Sequence, residues 1–359
     1  MERIVITHVL WTLGRAGAER VVFDIATHLP KEVFDVRVIA AGGGGEMAED
    51  FRSAGIPIAI GPETRDRRQT VRFLRAELKA HRPQILHTHL GGDVWAGYVA
   101  FRERIHPWIA TLHNDDRDDG FAKHALRGMA YRRADHVACV SEAVRHYAKK
   151  EFRVKDDRLS VIRNGLDLGL IPLRGSLSFH DTPRLISVGR LVPQKDHETL
   201  LRALAQIKRP WVLDVYGEGH KRHELEKLAE ELGILPRVQF HGNVPQVAKQ
   251  FAKADIFCFP SRWEGQGLAM VEAAVSGVPI IASDLPVFRE TFDEHALAFA
   301  APGSVEDWTR QLRMVLADPI SALRRAGEAQ KIARKTFTLE RMIKEYTDLY
   351  QRYAHSSRQ

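Results

Sequence analysis

At 359 residues, 44% hydrophobic and 28% charged, the chain has the make-up of a soluble globular protein and the length for two cores. Its two cysteines, Cys139 and Cys258, sit in apolar runs and read as buried free thiols, which argues against a disulfide framework or a zinc site. A net charge of +7 and a pI of about 9.4 leave three readings: nucleic acid, an anionic membrane, or solubility. No helix-turn-helix, RNP or zinc-finger pattern is present, so no nucleic-acid partner is expected.

The stretch Met1 to His8 lacks the apolar core of a signal peptide, and no run approaches transmembrane length, so a cytoplasmic protein is expected. The first half alternates strand and helix. Strands are expected at Arg3 to Val9, Asp35 to Ala41, Ile56 to Ile60, Gln84 to His89, Trp108 to Leu112, His136 to Val140 and Leu159 to Ile162. Helices are expected at Gly17 to Leu29, Arg67 to His81, Asp93 to Arg104, Phe121 to Arg133 and Ser141 to Lys149, with a short one after Gly42-Gly43-Gly44-Gly45 that Gly55 closes. Leu166 to Pro183 carries no clear period and reads as a linker. The alternation then restarts. Strands are expected at Arg184 to Val188, Trp211 to Tyr216, Val238 to His241, Asp255 to Phe259 and Val278 to Ala282. Helices are expected at His197 to Ile207, Lys221 to Leu232, Pro245 to Lys253, Val305 to Leu316, Ile320 to Lys331 and Leu339 to Tyr353.

Two such blocks predict an α/β fold of two doubly wound Rossmann-like domains facing a cleft. Ligands in these folds bind beyond the carboxyl ends of the strands, so candidate residues should follow strands. The most informative stretch is Phe257 to Ala274. A buried strand ends at Pro260, and Leu268, Val271 and Val275 then recur at helical spacing up to Gly277. Between them, Gly265 and Gly267 let backbone approach a ligand, and helix-start amides favour phosphate. Glu264 and Glu272 are better suited to accept hydrogen bonds from hydroxyls. Diphosphate and hydroxyls together point to a sugar nucleotide. A plain strand–helix joint with two surface glutamates would read the same way if it stood alone.

A second constellation is Gly189-Arg190-Leu191 leading to Gln194-Lys195-Asp196, with Asp196 as the expected N-cap of the next helix. Arg190 and Lys195 near a helix start can neutralise a diphosphate without a metal. After the first strand comes Leu13-Gly14-Arg15-Ala16-Gly17-Ala18-Glu19, whose glycines do not have the dinucleotide-binding spacing. His113 and Asn114 close a strand, as do His87 and His89, which rank lower. Asp116-Arg117-Asp118 is literally D-x-D, a metal-binding signature in another context. It lies among further aspartates and reads as a solvated charge run, and no other spacing implies a metal. Arg65 to Arg82 holds seven basic residues against Asp66 and Glu77, over an apolar stripe of Val71, Leu74 and Leu78. It reads as a surface helix or as a contact with anionic lipid, with Arg127, Arg132, Arg133, Lys149 and Lys150 extending the patch.

Glu264 and Glu272, with the glycines between them, resemble the E-x7-E motif of the retaining GT-B glycosyltransferases of the family-4 type, or group 1. Gly189, Arg190 and Lys195 resemble the family's GR-x4-K signature. Ala16-Gly17-Ala18-Glu19 is similar to its G-G-x-E loop, with Ala16 in place of the first glycine, and Asn164-Gly165 with Asp167 to its N-G-x-D turn. The resemblance covers nearly the whole chain. It implies domains at 1–168 and 182–338, a linker at 169–181, and a last helix, 339–353, that packs back on the first domain. It implies that Arg190 and Lys195 hold the donor diphosphate, that Glu264 and Glu272 hold sugar and ribose hydroxyls, and that Gly265, Gln266, Gly267 and Leu268 line the donor. Gly242 to Val244 would hold the base. Gly17, Glu19, His113 and Asn114 would face the acceptor, with His113 near the transferred sugar. Relatives usually carry an aromatic at Gln266, which leaves the sugar open.

The implied activity is metal-free, cofactor-free transfer of a sugar, UDP-linked by family frequency, to a sugar or lipid-linked glycan acceptor in cell-surface polysaccharide or glycolipid synthesis. A sugar-nucleotide epimerase or phosphorylase on the same fold, or a two-lobed sugar-binding module, would fit the same motifs.

Overall fold

The computed structural model describes residues 3–115 and 120–356. Asp116-Arg117-Asp118 lies outside the described residues. The chain forms two compact units, residues 1–165 with 339–359, and residues 166–338.

The first unit runs β1 (Ile4–Leu10), α1 (Gly17–His28), β2 (Phe34–Ala40), α2 (Ala48–Ser53), β3 (Ile58–Ile60), α3 (Arg67–Ala80), β4 (Ile85–His89), α4 (Gly92–Glu103), β5 (Trp108–Leu112), α5 (Phe121–Arg133), β6 (His136–Cys139), α6 (Glu142–Lys150) and β7 (Leu159–Val161). Its strands pair in parallel in the order β3-β2-β1-β4-β5-β6-β7. The central strands β4 and β5 are buried at every residue, which is why they show no polar alternation. The helices do show it. In α3, Thr70, Leu74 and Leu78 face inward, and Asp66 caps the first turn by accepting from Arg68 N at 2.9 Å.

The second unit runs β8 (Arg184–Val188), α7 (His197–Leu204), β9 (Val212–Tyr216), α8 (Arg222–Glu231), β10 (Val238–Gly242), α9 (Ala248–Phe251), β11 (Ile256–Phe259), α10 (Leu268–Ser276), β12 (Ile280–Ser283), α11 (Pro286–Arg289), β13 (Ala298–Ala300), α12 (Val305–Ala317) and α13 (Pro319–Thr336). Its parallel sheet has the order β10-β9-β8-β11-β12-β13. Both sheets thus reverse direction of growth once, between β1 and β4 and between β8 and β11, the position where doubly wound folds open a crevice for ligand. The chain then returns to the first unit as α14 (Leu339–Ser356). Met342, Tyr346, Leu349 and Tyr350 form its buried stripe.

Several details differ from the sequence expectation. α11 and β13 were not foreseen, because four and three residues are too short to show a period. The helix expected from Pro245 begins at Ala248, since Gln246 has φ +54°, a left-handed backbone no helix accepts. Residues 169–181, expected as a linker, lie within the second unit. Ile171 is buried, Ser276 Oγ donates to Pro172 O at 2.8 Å, and Arg174 N donates to Ser276 O at 2.8 Å. The Arg174 guanidinium, 3% exposed, pairs at 3.0 Å with Asp255, 0% exposed. Asp255 also accepts from Arg184 N at 2.8 Å and from His180 Nδ1 at 2.9 Å. The aperiodic sequence here reflects a strap held by one buried carboxylate rather than a free tether.

Removing that carboxylate leaves a buried guanidinium without its counter-charge. Asp255→Ala should cost the second unit about 3–5 kcal/mol, read as an earlier midpoint in urea unfolding. An unchanged midpoint would show that the strap is held otherwise.

Candidate functional site

In the second unit four strand ends supply one cluster. After β8, Gly189 leads through an exposed Arg190 to Lys195. This loop lies tight against its neighbours because they are glycines. A Cβ on Gly217, at φ +129°, would sit 2.1 Å from Gly189 O, and one on Gly219 would sit 2.3 Å from Leu191 O. Gly217 and Gly219 therefore let the loop after β8 lie close against the loop after β9. After β10, Gly242, at φ +73°, accepts from Gly217 N at 2.8 Å, and Val244 follows half-buried.

Across the crevice, β11 ends at Phe259, before Pro260, and the loop to α10 carries Glu264, Gly265, Gln266 and Gly267, all buried. Glu264 Oε1 accepts from Ser261 Oγ at 2.7 Å and is ion-paired with Lys195 Nζ. Lys195 Nζ also lies 4.9 Å from the Phe259 ring centroid. Gln194 ties the two loops together. Its amide donates to Trp263 O at 2.9 Å, its carbonyl accepts from Arg262 N at 2.8 Å, and its side-chain oxygen accepts from Arg190 Nη2 at 3.3 Å. Gly267 starts α10 at φ +76°, where a Cβ would lie 2.8 Å from Phe288 Cε1. Leu268 and Glu272 follow on α10, both half-buried.

Asp196 is the N-cap residue of α7, as expected. Its backbone is left-handed, at φ +47°, and its side chain makes no capping hydrogen bond to the helix amides. It accepts instead from Thr199 Oγ1 at 2.8 Å and pairs with Arg262 Nε at 3.0 Å, a second link between the β8 and β11 loops. Ser261, Gln194 and Arg262 were not foreseen. Their only sequence signal is adjacency to the motif residues.

In the first unit, the loop after β1 is bedded on glycines. A Cβ on Gly45 would lie 2.3 Å from Leu13 O, and one on Gly92 2.7 Å from Val9 O. The loop ends at Gly17, exposed at the start of α1, and Glu19, buried. Two strands away, His113 follows β5, partly buried, with its Nε2 3.0 Å from His89 Nδ1. Desolvation and then the charge of Arg127 bring the His113 pKa down to about 3. Asn114 Oδ1 accepts from Asp115 N at 3.0 Å. Arg127 was expected on a basic surface patch. It is buried, 3.4 Å from Tyr131 OH, which in turn donates to Asp93 Oδ2 at 2.7 Å. The periodicity of α5 is weak because this inward face is polar.

The strand-end cluster has the chemistry to take an anion and hydroxyls together. Residues 173–333 match the family model described as glycosyl transferases group 1, and residues 15–170 match that of glycosyltransferase family 4. An uncharacterized glycosyltransferase of Methanocaldococcus jannaschii is 29% identical over 50% of this chain and 52% of its own length. The O-antigen biosynthesis glycosyltransferase WclY of Escherichia coli is 23% identical over 73% of this chain and 65% of its own. The chain thus spans about half to two thirds of the length of these curated relatives. Among solved structures, Anabaena HepE in complex with UDP and glucose superposes with a TM-score of 0.88 at 19% identity, over 97% of this chain and 100% of that one. The shared fold is GT-B.

Asp93 offers a test of the first unit's interior. Burial pushes its carboxyl up to about 6, against Arg127 and hydrogen bonds from Tyr131 and Thr88. The folded protein holds this proton more tightly than the unfolded chain, where the value is about 3.9. Its favourable contribution is complete below about pH 4 and is lost as pH rises through about 6, a swing of about 3 kcal/mol. Asp93→Asn should unfold at a higher temperature than wild type at pH 8, with the gap closing toward pH 4. A gap independent of pH would contradict the raised pKa.

Proposed function

The chain belongs to the group 1 glycosyltransferases, and from that premise we propose that it is a retaining, metal-independent enzyme moving a sugar from UDP to a sugar or lipid-linked glycan acceptor. The observation that carries this reading is the meeting of Lys195 with Glu264, beside Arg190, at the point where strand order reverses. Lys195 and Arg190 supply two positive charges where a diphosphate leaving group would develop its negative charge. The amides at the start of α10 add further donors. In this reading Glu264 and Glu272 accept from sugar and ribose hydroxyls, and backbone at Gly242 to Val244 serves the base. The acceptor is assigned to the first unit, near Gly17, Glu19, His113 and Asn114. Transfer would run on the front face of the donor, the departing phosphate taking the acceptor's proton, so that no carboxylate nucleophile is required. UDP is favoured because the HepE structures are complexes with UDP and UDP-glucose.

A cell-surface glycan or glycolipid product fits WclY's role in O-antigen biosynthesis. A peripheral contact with anionic membrane fits α3 and its flanks, where Arg65, Arg67, Arg68, Arg72, Arg75, Lys79 and Arg82 are all exposed. Arg75 and Lys79 pair with Glu103 of α4, and Arg67 lies over Trp95. The neighbouring helices expose Phe101, Phe121, Leu126 and Met129, apolar groups suited to the interface beside those cations. Among the described residues no helix is long and apolar enough to cross a membrane.

Thermal-shift screening of UDP, GDP and ADP conjugates, with and without EDTA, should show stabilisation by one nucleotide series in both conditions. Lys195→Ala and Glu264→Ala should then lose transfer by about 100-fold or more while keeping the wild-type circular dichroism spectrum. Near-normal transfer in both variants would reject the reading, and turnover of the donor without acceptor would point to epimerisation. Liposome co-sedimentation tests the membrane contact. Equal pelleting with neutral and anionic vesicles would sink it.

A further inference from the structure

Behind His113 the first unit buries three imidazoles, His8, His87 and His89, that the proposed chemistry does not use. β4 lies between β1 and β5, and the register sets His8 beside His87 and His89 beside Thr111. Alternation along the strands then places His8, His87, His89, Thr111 and His113 on one face. His8 Nδ1 is 3.0 Å from His89 Nε2, and His89 Nδ1 is 3.0 Å from His113 Nε2. His87 stands beside this line, bonded through Nδ1 to Tyr350 OH and through Nε2 to Thr111 Oγ1, each at 2.7 Å. The three rings of His8, His87 and His89 are close enough to gather round a metal ion, but they are fully buried and five of their six ring nitrogens are already hydrogen-bonded. Metal entry would have to break those bonds.

The remaining nitrogen, His8 Nε2, is buried without a partner. Burial lowers the pKa of His8 to about 3 and those of His87 and His89 well below the ordinary value, so each ring carries one ring proton. A line of neutral imidazoles has two self-consistent proton orders. In one, His113 donates from Nε2 to His89, His89 donates to His8, and the last N–H is stranded on His8 Nε2. In the other, His8 donates from Nδ1 to His89 Nε2 and His89 donates from Nδ1 to His113 Nε2. That order strands only a lone pair on His8. A buried N–H without an acceptor is the rarer arrangement in proteins.

We propose that His89 and His8 are positioning residues that hold His113 as its Nδ1–H tautomer, so that Nδ1 presents a hydrogen-bond donor to a hydroxyl oxygen of the bound sugar or acceptor. This rests on the reading of His113 as a ligand-facing group of a glycosyltransferase. It adds a constraint that reading lacks: with its Nε2 lone pair given to His89, His113 has no free nitrogen to serve as a general base. Among the described residues Nδ1 of His113 has no partner, so the donor is available to a ligand.

Long-range proton–nitrogen correlation spectra of the full chain labelled with nitrogen-15 histidine read the tautomer directly, His113 being assigned by its loss in His113→Gln. The expected result is a pyrrole-type Nδ1 and a pyridine-type Nε2 at His113. In His89→Phe this preference should disappear, and kcat for sugar transfer should fall by about 100-fold with KM for the nucleotide sugar unchanged. His89→Asn, whose amide nitrogen replaces Nδ1 and donates to His113, should restore most of the rate. A wild-type His113 that carries its proton on Nε2 overturns the proposal. An unaltered His113 tautomer in folded His89→Phe overturns it too. Failure of the wild type to transfer any sugar would remove the glycosyltransferase reading, while the spectra would still decide the tautomer.

Discussion

A lysine ammonium and a glutamate carboxylate held together in a crevice, Lys195 with Glu264, set the charge and the shape of the strand-end site. Both are mostly removed from water, and a buried charge is tolerated only with close, well-satisfied partners. The surroundings supply them: Ser261 donates to the carboxylate, and the Phe259 ring faces the ammonium. The two groups come from loops 69 residues apart, so their meeting depends on how those loops are tied. Gln194 and the Asp196–Arg262 pair do the tying, and the glycines at 217, 219 and 267 remove the side chains that would push the loops apart. Arg190 stays exposed, its Nη2 donating to the Gln194 side-chain oxygen at 3.3 Å.

The first unit solves a different problem. Its central strands carry His8, His87, His89 and Thr111 where apolar residues would be expected, and these groups are kept neutral and bonded to one another. Neutral imidazoles avoid the desolvation cost that the second unit meets with an ion pair. They also transmit direction, because each ring has one donor and one acceptor. Asp93, Tyr131 and Arg127 form a second polar group nearby, in which the Tyr131 hydroxyl stands between a guanidinium and a carboxylate with a raised pKa.

The strand–helix alternation was legible except at α11 and β13, because most of the buried parallel strands are apolar runs and most of the covering helices have a stripe. The glutamates, Arg190 and Lys195 were legible because glycines and charges at strand ends are a local pattern. The pairing of Lys195 with Glu264 was not, since nothing in either segment names its partner. The left-handed backbone at Asp196 was hidden by a residue type that reads as a helix cap. Arg174 and Asp255 were hidden by their separation, and the strap they hold looked like a linker. The imidazole line had a signal, a His-x-His pair in a buried strand, but His8 and Tyr350 join it from far along the chain.

That last connection ties the order of the sequence to the completeness of the first unit. Tyr350 supplies the partner of His87 Nδ1, and Tyr346 lies 3.3 Å from Thr111 Oγ1, yet both belong to α14, which follows the entire second unit. Residues 1–165 alone would leave His87 short of a hydrogen bond on the face that carries His8, His89 and His113. A lost partner for a buried nitrogen costs about 1–3 kcal/mol, a sizeable fraction of a domain's net stability. Arg341 donating to Arg163 O at 2.6 Å and Gly165 N donating to Met342 Sδ at 3.1 Å fasten the start of α14 to the end of the first segment. Leu166 pairs with Thr338 where the chain enters and leaves the second unit. Closing this long loop costs only slightly more entropy than closing a short one. The cost is offset by burial of the tyrosine stripe, and the ordered histidine face becomes a property of the whole chain rather than of its first half.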